Sequence, residues 1–133
     1  MAVKVILDSN FLFIPSEFRI DVFEGLESLL GQRVDPILLS QTYQEIRKIA
    51  EESSPKIRQQ ASLALEIAEK CCIVQVEKDF KETCDDLIVR VAKEWRSPVA
   101  TNDRTLRRRL RNINVPVIYL RQKSRLEMEG GLP

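Results

Sequence analysis

The chain has 133 residues, 44% of them apolar and 31% charged, with a formal net charge of +1. That length suits one domain around one core, and the mix is that of a folded globular protein. No apolar run reaches the roughly 20 residues that cross a membrane, and the first residues carry no signal-peptide pattern, so a cytoplasmic protein with no membrane partner is expected.

Strand and helix signals alternate along the chain. Val3 to Leu7 is a short apolar run with β-branched residues and predicts a buried strand. Asp21-x-x-Glu24 resembles a capping box and opens a helix to about Leu30, with Gly31 as its stop. "PILLS", 36–40, is a second strand. A helix over 41–52 follows, with Tyr43, Ile46, Ile49 and Ala50 on one side. Ser54 before Pro55 opens a helix to about Lys70. "CIVQV", 72–76, is a third strand. The helix over 83–96 has Leu87, Ile88, Val91, Ala92 and Trp95 in register. "PVATN", 98–102, is a fourth strand. Arg104 to Asn112 is a helix with Leu106 and Leu110 on one stripe, and "VPVIYL", 115–120, is a fifth strand before a polar tail over 121–133. This order predicts a single α/β domain: a five-stranded parallel sheet with helices on both faces, in three layers.

Several chemistries drop out at once. The chain has no His, which removes Ser–His and Cys–His nucleophile systems. Its four glycines form neither a dinucleotide fingerprint nor a P-loop. Cys71, Cys72 and Cys84 lack metal-type spacing and are expected as reduced, mostly buried thiols.

The small net charge conceals a separation. Residues 1–103 hold 13 basic and 18 acidic side chains, whereas 104–125 hold 8 basic side chains and no acid. Such asymmetry points to a polyanionic partner, with a solvated helix face as the plain alternative. Arg107, Arg108 and Arg111 fall opposite the apolar stripe of their helix and, with Arg104, are the candidate phosphate-binding surface.

The first strand ends in "ILDSN", an apolar run cut off by Asp8. In open α/β sheets the functional cleft lies at the carboxyl ends of the strands. Asp8 ends the first strand and Asp103 the fourth. Asp85 starts the helix after the third strand, and Glu45 lies early in the helix after the second. Four acids on one cleft would repel and raise one another's pKa, and a hard divalent cation such as Mg²⁺ would relieve that repulsion. Each acid also has a local reading: Asp8 in a turn, Asp103 as a helix cap, Glu45 in a capping box with Thr42. Ser9, Asn10, Thr101 and Asn102 are short polar groups able to orient Asp8 and Asp103, or to serve plain turn chemistry. Asp86 supports its helix as the partner of Thr83 in a capping box. At about 100° per residue, Asp85 borders the buried arc of that helix while Asp86 points away from it.

"VILDSNFLF", Glu45, "CDDLIVRVAKEW" and "VATNDRTLRRRLRNINVPVIYLR", in that order, resemble the PIN-domain nuclease family over nearly the whole chain. The likeness is strongest to the ribosomal-RNA-processing branch and its archaeal relatives. It implies a parallel sheet, Mg²⁺ or Mn²⁺, endoribonuclease activity, and Asp8, Glu45, Asp85 and Asp103 as metal-holding catalytic acids. Thr105 departs from the pattern, standing where many relatives carry a further acid, which leaves a second metal open. The expected partner is RNA, single-stranded or structured, with ribosomal RNA among the candidates. A homodimer and a protein partner, in a processing complex or an antitoxin, are further expectations. A toxin-type ribonuclease and a non-catalytic RNA-binding assembly protein are the alternative readings.

Overall fold

The computed structural model describes residues 2–132. Its architecture follows from an alternation visible in the shortest strands. In β1 (Val3–Leu7), Val5 and Leu7 belong to one apolar cluster and Ile6 to another, as the two-residue period of a strand requires. The same split separates Leu38 from Ile37 and Leu39 in β2 (Val34–Leu39), and Ala100 from Val99 in β4 (Val99–Ala100). A sheet apolar on both faces needs a helical layer on each.

One layer contains a 3₁₀ turn (Ser9–Phe13), α1 (Ile14–Phe18), α2 (Val22–Leu30), α3 (Ser40–Glu52) and α4 (Pro55–Ala68). The other contains α5 (Cys84–Trp95) and α6 (Arg104–Asn112). Asp21 caps α2 through the Phe23 and Glu24 amides, and Gly31 closes it in the left-handed region at φ 65°. α3 begins without a side-chain cap, so the Thr42–Glu45 box does not form and Glu45 has no capping task.

With β3 (Cys72–Val74), β5 (Val117–Arg121) and β6 (Arg125–Glu129), the sheet order is β3-β2-β1-β4-β5-β6. Pairings from β3 through β5 are parallel. The chain moves outward from β1 in both directions, so β1 and β4 flank the switch point at which ligand crevices open in such sheets.

Two expectations need correction. The stretch over 121–133 is not simply a polar tail, because Arg125–Glu129 forms a sixth strand, antiparallel to β5, with Leu126 opposite Leu120. Leu126 is buried and packs against α2, where Gly25 leaves it room: a Cβ at Gly25 would sit 2.9 Å from Leu126 Cδ1. The cysteines are free, but Cys72 is exposed, as its place on the edge strand β3 allows, and Cys71 and Cys84 are only half-buried.

If β6 belongs to the fold, Leu126→Ala should cost about 2–4 kcal/mol in denaturant unfolding. A side chain on a solvated tail would change stability by no more than about 0.5 kcal/mol.

Candidate active site

Asp8 lies one residue past β1, and its backbone N–H continues the ladder to the Ala100 carbonyl at 3.0 Å. The carboxylate is 5% exposed. Burying it requires donors, and three are supplied. The Ser9 N–H donates to Oδ1 at 2.8 Å, and the Thr101 hydroxyl and Asn10 amide donate to Oδ2 at 2.8 and 3.0 Å. Thr101 is fully buried just after β4, so the two central strands are bonded through side chains where their ladder ends.

The polar network extends outward. The Asn102 N–H donates to Asn10 Oδ1 at 2.9 Å, and Asn102 Oδ1 accepts from the Leu120 N–H at 2.9 Å. Asp103 caps α6, its Oδ1 accepting from the Thr105 and Leu106 amides. That task uses one oxygen, so the capping role and a role for the other oxygen in the cleft are compatible.

Asp85 and Asp86 divide. Asp86 forms a full capping box with Thr83 and pairs with Arg109 Nη2 at 2.9 Å. Its carboxyl lies below the usual range because the Thr83 amide and then the Arg109 side chain favour its charged form. Asp85 accepts no hydrogen bond from any described residue. Its pKa is raised, first by burial, then by the charges of Asp103 and Glu45.

The pKa of Asp8 is pushed up to about 6, chiefly by burial. The Thr101 and Ser9 hydrogen bonds oppose that rise, while the charges of Asp85 and Glu45 add to it. Asp8 thus feels the charges of Asp85 and Glu45, and Asp85 those of Asp103 and Glu45, all near one sheet edge. Cys84 adjoins them, its thiol pushed up by burial and then by Glu45. Among the described residues, no three His, Cys, Asp or Glu side chains are drawn together closely enough to hold a metal ion. The donor set still fits Mg²⁺ or Mn²⁺ in kind: it is all oxygen, mutually repelling and only partly compensated. Mg²⁺ takes as few as one or two carboxylates and fills its shell with water and substrate phosphate.

The arginines do not form one surface. Arg104 and Arg108 are exposed on α6. Arg107 lies over the Tyr119 ring, 4.3 Å from its centroid, with Glu129 3.9 Å away. Arg111 turns inward, donating to the Val115 carbonyl at 3.2 Å. Sequence reasoning missed Arg109, which bridges α6 to Asp86 on α5, because strand-helix phase does not reveal contacts between helices. It also missed the Arg107–Tyr119 stack, for which an aromatic in a terminal strand is the only signal.

A family model described as a PIN like domain matches residues 5–123. Ribonuclease VapC4 of Methanocaldococcus jannaschii is 27% identical over 128 residues, 96% of this chain and 97% of that protein. The rRNA-processing protein fcf1 of Schizosaccharomyces pombe is 33% identical over 117 residues, 86% of this chain but 57% of that protein. This chain thus spans little more than half of the fcf1 length. The structure of the PIN domain endonuclease Utp24 superposes with a TM-score of 0.79 at 26% identity, over 97% of this chain and 92% of that one. These findings bear out the resemblance read from the sequence and the layered α/β fold.

The raised Asp8 pKa fixes the sign of a pH dependence. The folded state holds the proton up to about pH 6, against an ordinary value of 3.8, so Asp8 ionisation destabilises the metal-free fold as pH rises through that window. Relative to Asp8→Asn, the wild type in EDTA should lose on the order of 2–3 kcal/mol between about pH 4 and 7. Denaturant unfolding of both proteins at each pH measures it, and parallel curves would contradict it.

Proposed function

Because the chain belongs to the PIN-like domain family, we propose that it is a divalent-metal-dependent endoribonuclease that hydrolyses RNA phosphodiester bonds, acting in ribosomal-RNA processing. What supports this reading is placement: Asp8 and Asp103 directly follow β1 and β4, and Glu45 and Asp85 lie near the starts of α3 and α5, so the fold turns all four toward the carboxyl edge of the sheet. Metal removal should therefore matter to both stability and turnover.

Asp8, Asp85 and Asp103 are the residues proposed to hold Mg²⁺ or Mn²⁺, with Glu45 holding a second ion or orienting the attacking water. When bound, the ion supplies Lewis-acid activation of that water and offsets charge on the phosphodiester. The chain's own contribution is positioning. Ser9, Asn10 and Thr101 fix the Asp8 carboxylate, and Asn102 ties that group to the start of α6. Asp85 has no hydrogen-bond partner to give up, so it is the acid most available to a cation. Arg104 and Arg107 follow Asp103 directly on α6, and Arg108 extends the positive surface. In this reading they hold the phosphates of the RNA. Arg111 has the smaller part, since the Val115 carbonyl occupies it.

The rRNA-processing role draws on the likeness to fcf1, and the alternative of a toxin-type ribonuclease has its own support. The match to VapC4 runs over nearly the full length of both chains. The two readings share the same chemistry and differ in the RNA they cut.

Purified protein incubated with single-stranded and structured RNA should cleave with Mn²⁺ and stop on adding EDTA. Undiminished cleavage in EDTA would contradict the proposal. Asp85→Asn should lower cleavage by about 100-fold or more, the range for loss of a group active in the transition state, with an unchanged or slightly higher melting temperature because a repelled charge is removed. Asp86→Asn should do the opposite: lower the melting temperature through the lost cap and Arg109 pair, yet leave most of the cleavage. An inactive Asp86 variant beside an active Asp85 variant would show that the acids are assigned to the wrong faces.

A further inference from the structure

Beside the acid cluster lies a cavity of about 440 Å³, within the roughly 300–1,000 Å³ typical of sites that enclose a small ligand. Half-buried Phe18, Tyr119 and Leu120 give it an apolar wall. Arg104, Arg107, Arg121 and Lys123 line the rest together with Asn102 and Gln122, and no acid is among its lining residues. The positive charge comes from two directions: α6 supplies Arg104 and Arg107, while the β5–β6 turn supplies Arg121 and Lys123. Two of the four are held by acids outside the cavity. Arg121 pairs with Glu127 at 2.9 Å and Arg107 approaches Glu129 at 3.9 Å. Arg104 and Lys123 have no ion-pair partner among the described residues.

The cavity adjoins the acids through one residue. Asn102 lines it, accepts from the Leu120 amide behind it, and binds Asn10 beside Asp8. A strand of nucleic acid with a phosphate at the acids would therefore place a neighbouring nucleotide here. The Arg107 guanidinium lies over Tyr119, 4.3 Å from the ring centroid, and such a cation on an aromatic face is a surface on which a base can stack. A paired base inside a duplex could not enter such a concavity.

We propose that this cavity is a nucleotide subsite, holding one unpaired residue of single-stranded RNA next to the bond at the acid cluster, with its phosphate on Arg121 and Lys123 and its base against Arg107 and Phe18. The assignment rests on the endoribonuclease reading and adds to it a defined cavity and two binding residues outside α6.

Binding of a labelled single-stranded oligoribonucleotide of about ten nucleotides, followed by anisotropy in EDTA, tests it separately from cleavage. Arg121→Ala with Lys123→Ala should weaken binding about tenfold and lower the salt slope by about 0.7–1.4, one or two single-strand phosphate contacts, between about 50 and 200 mM salt. Arg125→Ala removes one positive charge from the same hairpin but outside the cavity, and should weaken binding much less than Arg121→Ala or Lys123→Ala alone. A fully paired duplex of the same sequence should be nearly insensitive to the double substitution. Unchanged single-strand binding by the double variant overturns the subsite, as does a loss from Arg125→Ala equal to that from Arg121→Ala or Lys123→Ala alone, which would mean undirected charge attraction. If the wild type cuts RNA with Mn²⁺ while the double variant binds normally, only the subsite falls. If the wild type never cuts but the double variant binds ten times more weakly, the subsite stands and the endoribonuclease reading falls.

Discussion

A carboxylate buried between two strand ends is the constraint around which this molecule is arranged. Asp8 is 5% exposed and takes all three of its hydrogen bonds from the protein. Each donor is also a structural decision. The Ser9 amide begins the 3₁₀ turn, the Thr101 hydroxyl ends β4, and Asn10 reaches on to the Asn102 amide. Asn102 in turn accepts from Leu120, so three strand ends are joined by polar side chains beyond the last ladder bonds. An unpaired donor or acceptor in such a network costs its full desolvation energy, which is why the whole edge is held in one arrangement.

Much of this was legible in the chain because the signals were local or periodic. The acid after an apolar run marked the end of β1, and the alternation of elements gave the parallel sheet. The helix phase separated Asp85 from Asp86, and Thr83 caps α5 as its sequence requires. The terminal hairpin was not legible. Its turn puts Gln122 and Lys123 at φ 52° and 59°, conformations that Asn or Gly would have advertised. The strand itself, "RLEME", alternates correctly but is mostly charged, so its two apolar residues read as incidental. The 3₁₀ turn and α1 were missed for another reason: "FLFIP" is short and apolar without a period to classify it. The fates of individual arginines depended on β6, because Glu127 and Glu129 are what Arg121 and Arg107 meet.

The same hairpin sets the electrical character of the molecule. Acids gather at the ends of β1 and β4 and the start of α5, and bases gather one step further along the sheet on α6 and β5. Arg109 stands where the two zones meet, bound to Asp86 and opposing the rise in the pKa of Asp85. That pair is about 40% exposed on both sides, 42% and 38%, so salt weakens it and it adds little to stability. Its consequence is directional: it keeps a positive group at the border of the acid cluster while leaving the Asp85 oxygens unbonded.

The Thr101–Asp8 hydrogen bond spans 93 residues of sequence. Of the two neighbours of β1 in the sheet, β2 follows it closely in the chain and β4 comes far behind. Until β4 joins it, Asp8 is solvated, carries an ordinary acid's pKa and lacks the partners that fix its oxygens. Closing so long a loop is also slow relative to local helix formation. The acid cluster is therefore among the last features to assemble when the chain folds.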